Sequence, residues 1–128
     1  MNRGAHNMAK AIIQIQTQAQ FFQAARRSAA AMQRRKGGAD ADLYLSYPSA
    51  RELYGDLTPA RLDLLHTLST LGASSVKALA EAAGRNYSNV HADMARLGVL
   101  GLVEQTDAGA WRVPFDGVEI RVAMAQAA

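Results

Sequence analysis

Three stretches between residues 57 and 99 carry apolar side chains at intervals of three and four residues, which is the spacing of one helix face. The first begins with Thr58 as N-cap and Pro59 at the first helical position, and it ends at Gly72. The pattern therefore predicts three helices, each with one buried face. The stripes are Arg61, Leu64, Leu65, Leu68 and Leu71, then Val76, Leu79, Ala80 and Ala83, and finally Val90, Met94 and Leu97.

Short turns join these predicted helices. Ser75 is the expected N-cap of the second helix, and Gly84 at its end suits the left-handed backbone conformation of a sharp turn. Asn86 is the expected N-cap of the third helix. Two short helices joined by a glycine-containing turn, with a longer helix before them, are typical of a helix-turn-helix, whose last helix enters the major groove of DNA.

A hairpin is predicted directly after the third helix. Asp107-Ala108-Gly109 is a short turn with glycine where a positive φ is expected, and strands at 102–106 and 110–114 flank it. Trp111 is interpreted as the residue that anchors the hairpin to the core, in preference to a base-stacking role. Helices and hairpin together predict a winged helix-turn-helix over residues 57–115.

Alternating apolar positions outside this region predict three short strands, at 11–17, 43–47 and 118–122. Between the first two, residues 19–36 have helical spacing, and Gly37-Gly38 ends that segment. Strands with one apolar face are not stable alone. We therefore expect two or three of them to form a small sheet, covered by the helix at 19–36.

The predicted fold class is α+β, mainly helical: a winged helix-turn-helix with an N-terminal strand-helix-strand extension. Residues 1–9 are expected to be a flexible leader and 10–56 the extension, interpreted as a dimerisation element. Residues 57–115 follow as the DNA-binding domain, and 116–128 as a C-terminal strand and tail.

Composition narrows the function classes. The chain has 128 residues and no cysteine, which excludes disulfides and cysteine-ligated metals. Its three histidines do not have the spacing of metal ligands. The sequence contains neither a phosphate-binding glycine loop nor a catalytic triad. We therefore expect no enzymatic activity and no bound metal or cofactor. No apolar run approaches the roughly 20 residues of a membrane helix, and no secretory signal is recognisable. A cytoplasmic protein without membrane contact is expected.

Charge is distributed unevenly. Residues 1–36 carry seven basic and no acidic side chains, whereas residues 37–128 carry seven basic and eleven acidic ones. The basic arm indicates either an acidic partner, such as nucleic acid or an acidic protein surface, or only a solvated helix face. DNA affinity of the second half must therefore come from a few placed groups.

Six short segments are distinctive in their order and spacing: Leu45–Leu53, Leu57–Leu62, Val76–Ala80, Gly84–His91, Leu100–Glu104 and Val113–Asp116. Together they resemble a prokaryotic family of winged-helix regulators, often described as MarR-like DNA-binding proteins. The resemblance covers about Leu43 to Val122 and implies a DNA-binding regulator; members of the family are often suspected to be antitoxins encoded beside small toxins. One departure is Ala92, where the family commonly has a basic residue after the histidine.

Candidate DNA contacts follow from the position of each residue type. Near the start of a recognition helix, Asn89 can pair with adenine, and His91 can donate to a base or phosphate. Lys77, Arg85 and Arg112 are the candidate phosphate or minor-groove contacts. Ser75 and Asn86 have an equally simple role as helix caps. The full candidate set is Ser74, Ser75, Lys77, Arg85, Asn86, Tyr87, Ser88, Asn89, His91, Ala92, Arg96 and Arg112.

The predicted function is a sequence-specific transcriptional regulator, acting as a repressor. Because one helix-turn-helix contacts few base pairs, we expect a homodimer on a pseudo-palindromic site in double-stranded DNA. Two alternatives remain open at this stage. One is an antitoxin that neutralises a cognate toxin through its N-terminal region and regulates its own operon. The other is an architectural DNA-binding protein whose main contact is the basic arm.

Overall fold

The computed structural model describes residues 9–16, 33–34 and 41–124. These residues form an α+β protein that divides into two compact units, one from the described parts of residues 1–55 and 115–128, the other from residues 56–114. The elements in chain order are β1 (Lys10–Ile15), β2 (Gln33–Arg34), β3 (Leu43–Tyr47), α1 (Ala50–Asp56), α2 (Pro59–Leu71), α3 (Val76–Ala83), α4 (Tyr87–Val99), β4 (Glu104–Gln105), β5 (Trp111–Arg112) and β6 (Gly117–Val122).

The first unit contains a four-stranded sheet in the order β2-β3-β1-β6. Strand β1 runs parallel to both β3 and β6, whereas β2 is antiparallel to β3. Ile13 lies beside Leu45 on one side and Ile120 on the other. The prediction that two or three of the alternating segments form a small sheet is confirmed, and all three belong to it.

The centre of this sheet is buried and apolar on both faces. Ala11 and Ile13 are both 0% exposed, in line with the predicted buried face. Ile12 points to the opposite face and is also buried, at 4% exposure, which simple alternation did not predict. Central strands of parallel sheets are commonly buried on both faces, and β1 has a parallel neighbour on each side.

The helix predicted at 19–36 is wrong at its C-terminal end. Gln33 and Arg34 are strand residues that pair with Tyr44 and Leu43 of β3. Helix propensity is a weak preference, and hydrogen bonding to the edge of an existing sheet overrides it here. The rest of the predicted helix, apart from these two residues, lies outside the described part of the chain, as does the leader at 1–8.

The second unit is built on α2, α3 and α4, which pack on one another. Each helix begins at the predicted cap: Thr58, Ser75 and Asn86 each accept a hydrogen bond from the backbone N–H three residues later. The predicted stripes are buried except at their ends. Leu71 is 46% exposed because it is the last residue of α2, beyond the reach of the packed helices.

The hairpin that follows α4 is shorter than predicted. Its strands β4 and β5 pair Glu104 with Arg112 and Gln105 with Trp111. Gly109 adopts the expected positive φ of 87°. The loop between α2 and α3 adds a third partner, because Ser74 exchanges two backbone hydrogen bonds with Trp111, at 2.9 and 2.8 Å.

No helix among the described residues is long and apolar enough to cross a membrane.

Candidate nucleic-acid interface

The α3–α4 turn fixes where α4 starts. Gly84 ends α3 in the left-handed conformation (φ 67°, ψ 34°), which a residue without Cβ adopts at little cost. The backbone N–H of Arg85 then donates to the carbonyl of Ala80 at 3.0 Å. The side chain of Asn86 caps α4 by accepting from the N–H of Asn89 at 3.2 Å. Local turn chemistry therefore sets the start and direction of this helix.

One face of α4 is buried and the opposite face is exposed along its first two turns. Val90, Met94 and Leu97 are at most 1% exposed. On the other side, Tyr87 and His91 form a tilted ring pair with centroids 6.0 Å apart. The exposed residues of these turns are Tyr87, Ser88, Asn89, His91 and Ala92, all of them among the predicted contacts, and we call them the α4 face.

The α4 face contains no Asp, Glu, Lys or Arg, and its polar groups are of the kind that reads base edges. Its side chains offer a phenol, a hydroxyl, an amide and an imidazole, which together can donate and accept hydrogen bonds. Asn86 has its side-chain oxygen engaged in the cap, so its role as a helix cap is confirmed.

A charged cluster that sequence analysis did not identify lies beside the turn. Asp93 accepts from the Nε of Arg61 at 2.9 Å and from the Nη2 of Arg85 at 2.8 Å. Its side chain is only 14% exposed. Burial raises the pKa of Asp93, but hydrogen bonds and charge from Arg61 and Arg85 outweigh this and place the pKa below 3.8. The cluster links α2, the α3–α4 turn and α4.

The sequence does contain a signal for this cluster. Asp93 lies three residues after Val90 and directly before Met94, so it falls on the buried stripe of α4. A charged residue within an apolar stripe indicates a buried ion pair. The identity of its partners, which are 32 and 8 residues away, is set by the fold.

The arginines predicted to contact DNA are engaged within the protein. Besides Arg85, Arg96 makes a bidentate pair with Asp56, with its closest distance 2.7 Å. Arg112 pairs with Glu104 across the hairpin. Lys77 is exposed on the second residue of α3. The described basic candidates thus divide into three paired arginines and one exposed lysine.

The two serines of the α2–α3 loop also have structural roles. Ser75 caps α3, with its hydroxyl accepting from the N–H of Ala78 at 3.0 Å. The hydroxyl of Ser74 donates to the carbonyl of Gly72 at 2.8 Å. In the described part of the chain, no group of three or more His, Asp or Glu side chains could hold a metal ion.

Trp111 joins the hairpin to α4. A Cβ added at Gly98 of α4 would lie 3.0 Å from Cη2 and 3.2 Å from Cζ3 of the indole. The ring is half-buried rather than fully enclosed. Close approach of this ring to the helix requires a residue without a side chain at position 98.

We expect Gly98→Ala to displace the indole and red-shift its fluorescence, which reports this site because Trp111 is the single tryptophan. Alanine stabilises a helix by roughly 1 kcal/mol relative to glycine, but the lost contact between Trp111 and α4 should offset this gain. The matched control is Gly55→Ala in α1, where a Cβ meets nothing within 4 Å and the emission should stay unchanged. An unshifted spectrum in Gly98→Ala would contradict the assignment.

Comparison with known proteins gives a family for this chain. The model of the HVO_A0114 family matches residues 56–120, which is about half of the 128 residues and includes all of the second unit. No curated protein and no solved structure matches the chain. On the extent of the family match, the chain belongs to the HVO_A0114 family.

Proposed function

We propose that residues 56–114 are a winged helix-turn-helix DNA-binding domain and that the protein is a sequence-specific transcriptional regulator. The proposal rests on the way in which α4 is buried on one side and exposed on the other. One side of the helix is fixed in the core by Val90, Met94 and Leu97, and the opposite side offers an exposed polar surface at its N-terminal end. Recognition helices read bases with residues in this position.

The hairpin supports the winged form of the proposal. Strands β4 and β5 follow directly after α4, and Ser74 pairs with Trp111 from the loop between the first two helices of the motif. The hairpin is thereby held to the helical core at both its strand and its indole. A hairpin fixed in this way can serve as a second contact on the DNA backbone or minor groove.

The proposal assigns different tasks to the α4 face and its surroundings. Asn89 would make a bidentate contact with adenine, and His91 would donate to a base edge or phosphate. Lys77 would contact a phosphate, because its ammonium group is exposed near the α3 N-terminus. Arg85 would act indirectly, because its bond to Asp93 holds the turn from which α4 begins.

Few basic side chains of residues 56–114 are available to contact DNA phosphates. Residues 56–114 contain five basic and six acidic side chains, so their net charge is −1. Four of the five basic residues are arginines in ion pairs, which leaves little for phosphate neutralisation. Nonspecific affinity of this unit should therefore be low and its salt dependence shallow. Specific binding then calls for two copies on a pseudo-palindromic operator, where an occupied site represses transcription by blocking the promoter.

The test is selection of bound sequences from random DNA with the purified protein, followed by Asn89→Ala and His91→Ala on the enriched site. Each variant should lose about 5- to 150-fold in affinity, corresponding to roughly 1–3 kcal/mol per lost base contact. Val99→Ala is the matched control, because Val99 is exposed at the far end of the same helix. Its affinity should equal that of the wild type.

Two results would contradict the proposal. Unchanged affinity in both α4-face variants would exclude α4 as the recognition helix. Binding without any enriched sequence, with a steep salt slope, would instead support an architectural protein that binds through the basic arm.

A further inference from the structure

Strand β6 forms one edge of the four-stranded sheet. Its inner side pairs with β1, and no other described strand pairs with its outer side. Apolar side chains of this edge strand remain partly open to solvent. Val118 and Ile120 are half-buried, and Val122 is 50% exposed. An edge of this kind is a template for pairing with another strand.

The hydrogen-bond alternation of β6 gives the direction of its backbone groups. The N–H of Gln16, directly after β1, donates to Tyr47 of β3, so the odd-numbered residues of β1 direct their N–H and C=O groups toward β6. Because Ile15 lies beside Val122 in the parallel register, its partners are the residues on either side of Val122, as the bond from the N–H of Ala123 to the carbonyl of Ile15 shows, and the odd-numbered residues of β6 direct their groups toward β1. The even-numbered residues, Val118, Ile120 and Val122, therefore direct theirs away from the sheet. The same three residues share the apolar face, because in the parallel register they lie beside Ala11, Ile13 and Ile15.

The polar face of β6 is charged and self-complementary. Glu119 and Arg121 are two residues apart, on either side of Ile120. Their side chains are 37% and 56% exposed, so both can reach a neighbouring strand. Within the chain, Arg121 and Lys10 both contact Glu119, at 2.9 and 3.1 Å.

We infer that β6 pairs antiparallel with β6 of a second copy of this chain, with the two-fold axis at Ile120. In this register Ile120 faces its own copy, and Val118 faces the partner's Val122, so three apolar pairs close over the edge. On the other face Glu119 lies opposite the partner's Arg121, twice by symmetry. The outward N–H and C=O groups of the even residues then all meet across the new ladder.

The neighbouring registers are disfavoured by charge. An axis at Glu119 would set two glutamates against each other, and an axis at Arg121 would set two arginines against each other. Both would also reduce the overlap of the apolar residues. The axis at Ile120 is the register that satisfies hydrogen bonding, apolar packing and charge together.

This interface would join the four-stranded sheets of the two copies into one continuous sheet of eight strands. It also supplies the second copy that an operator dimer requires, but it does not depend on DNA binding. A chain that dimerises through β6 and binds no DNA would overturn the proposed function and leave this inference intact.

The charge pattern provides the test, by analytical ultracentrifugation of the full chain at micromolar concentrations. Glu119→Arg and Arg121→Glu should each weaken the dimer by about tenfold or more, since two attractive pairs become repulsive. Mixed together, the two variants should form a heterodimer near wild-type affinity, because each arginine then faces a glutamate. The matched control mixes Glu119→Arg with Arg51→Glu, an exposed charge reversal of α1 that leaves β6 unchanged. Arg51→Glu should dimerise with itself as the wild type does, and its mixed dimer with Glu119→Arg should stay weaker than that of Glu119→Arg with Arg121→Glu, because one of its two charge contacts is repulsive.

Crosslinking tests the axis independently of charge. The chain has no cysteine, so Ile120→Cys introduces one thiol per copy. Facing residues of a hydrogen-bonded antiparallel pair have Cα atoms about 5.5 Å apart, within the disulfide range. Ile120→Cys should therefore give a disulfide-linked dimer under mild oxidation, whereas Glu119→Cys should not. A monomeric wild type, a mixture that fails to associate, or equal crosslinking of both cysteine variants would each overturn the inference.

Discussion

Replacing Asp93 with alanine should lower the free energy of unfolding by about 3 kcal/mol. The Asp93 carboxylate is 14% exposed and holds the guanidinium groups of Arg61 and Arg85, which are 21% and 29% exposed. Without it, two partly buried cations face each other with no anion between them. Loss of one partner from a buried ion pair costs roughly 3–5 kcal/mol, and partial exposure places this cluster at the lower end. Urea unfolding of both proteins measures the difference.

Two controls separate the cluster from general effects. Asp63→Ala removes an exposed carboxylate from α2 and should change stability by less than about 0.5 kcal/mol. Asp93→Asn keeps an oxygen that accepts one hydrogen bond but removes the charge, so its stability should fall between wild type and Asp93→Ala. Equal stabilities for Asp93→Ala and Asp63→Ala would show that the cluster contributes nothing to folding.

The pH dependence gives a second readout of the same cluster. Burial raises the pKa of Asp93, but the bonds and charges of the two arginines bring it, in balance, below 3.8. A carboxyl with a lower pKa in the folded state contributes its full stability above the unfolded pKa and loses it as the pH falls through the folded pKa. The wild type should therefore lose more stability than Asp93→Asn on acidification below about pH 4.

Local signals account for what the sequence predicted well. The caps Thr58, Ser75 and Asn86 and the turn at Gly84 depend on a few adjacent residues, and all four lie where the sequence predicted them. The α4 face follows from the same logic, because a periodic stripe at Val90 also defines the opposite, exposed side. These features are encoded within single helical turns, which is why periodicity and capping rules find them.

Features set by residues distant in the chain were not predictable in the same way. Gln33 and Arg34 have helix-forming neighbours, yet they pair with β3 because the sheet offers an edge. Ile12 is buried because β1 lies in the middle of the sheet, between β3 and the distant β6. The arginine partners of Asp93 are likewise chosen by tertiary packing. Each case depends on which elements meet, and a single sequence does not record this.

Leu97→Ala should lower the free energy of unfolding by about 3 kcal/mol, within the 2–5 kcal/mol usual for a leucine truncated in a packed core. Leu97 is 0% exposed on the buried side of α4, so its removal leaves a cavity under this helix. Val99→Ala, two residues further along, removes a side chain that is 65% exposed and should leave stability unchanged. Thermal or urea unfolding of the two variants measures the contrast.

The same variant separates folding from recognition in the proposed function. Leu97 lies on the side of α4 away from the exposed polar residues, so Leu97→Ala removes no group that would contact a base. Its DNA affinity should fall only as far as the folded fraction falls, and should return to wild type at low temperature, where the variant is folded. The loss in His91→Ala should persist under those same conditions, because the missing group belongs to the contact itself. A persistent loss in folded Leu97→Ala would mean that packing beneath α4, rather than its exposed side chains alone, determines the recognition geometry.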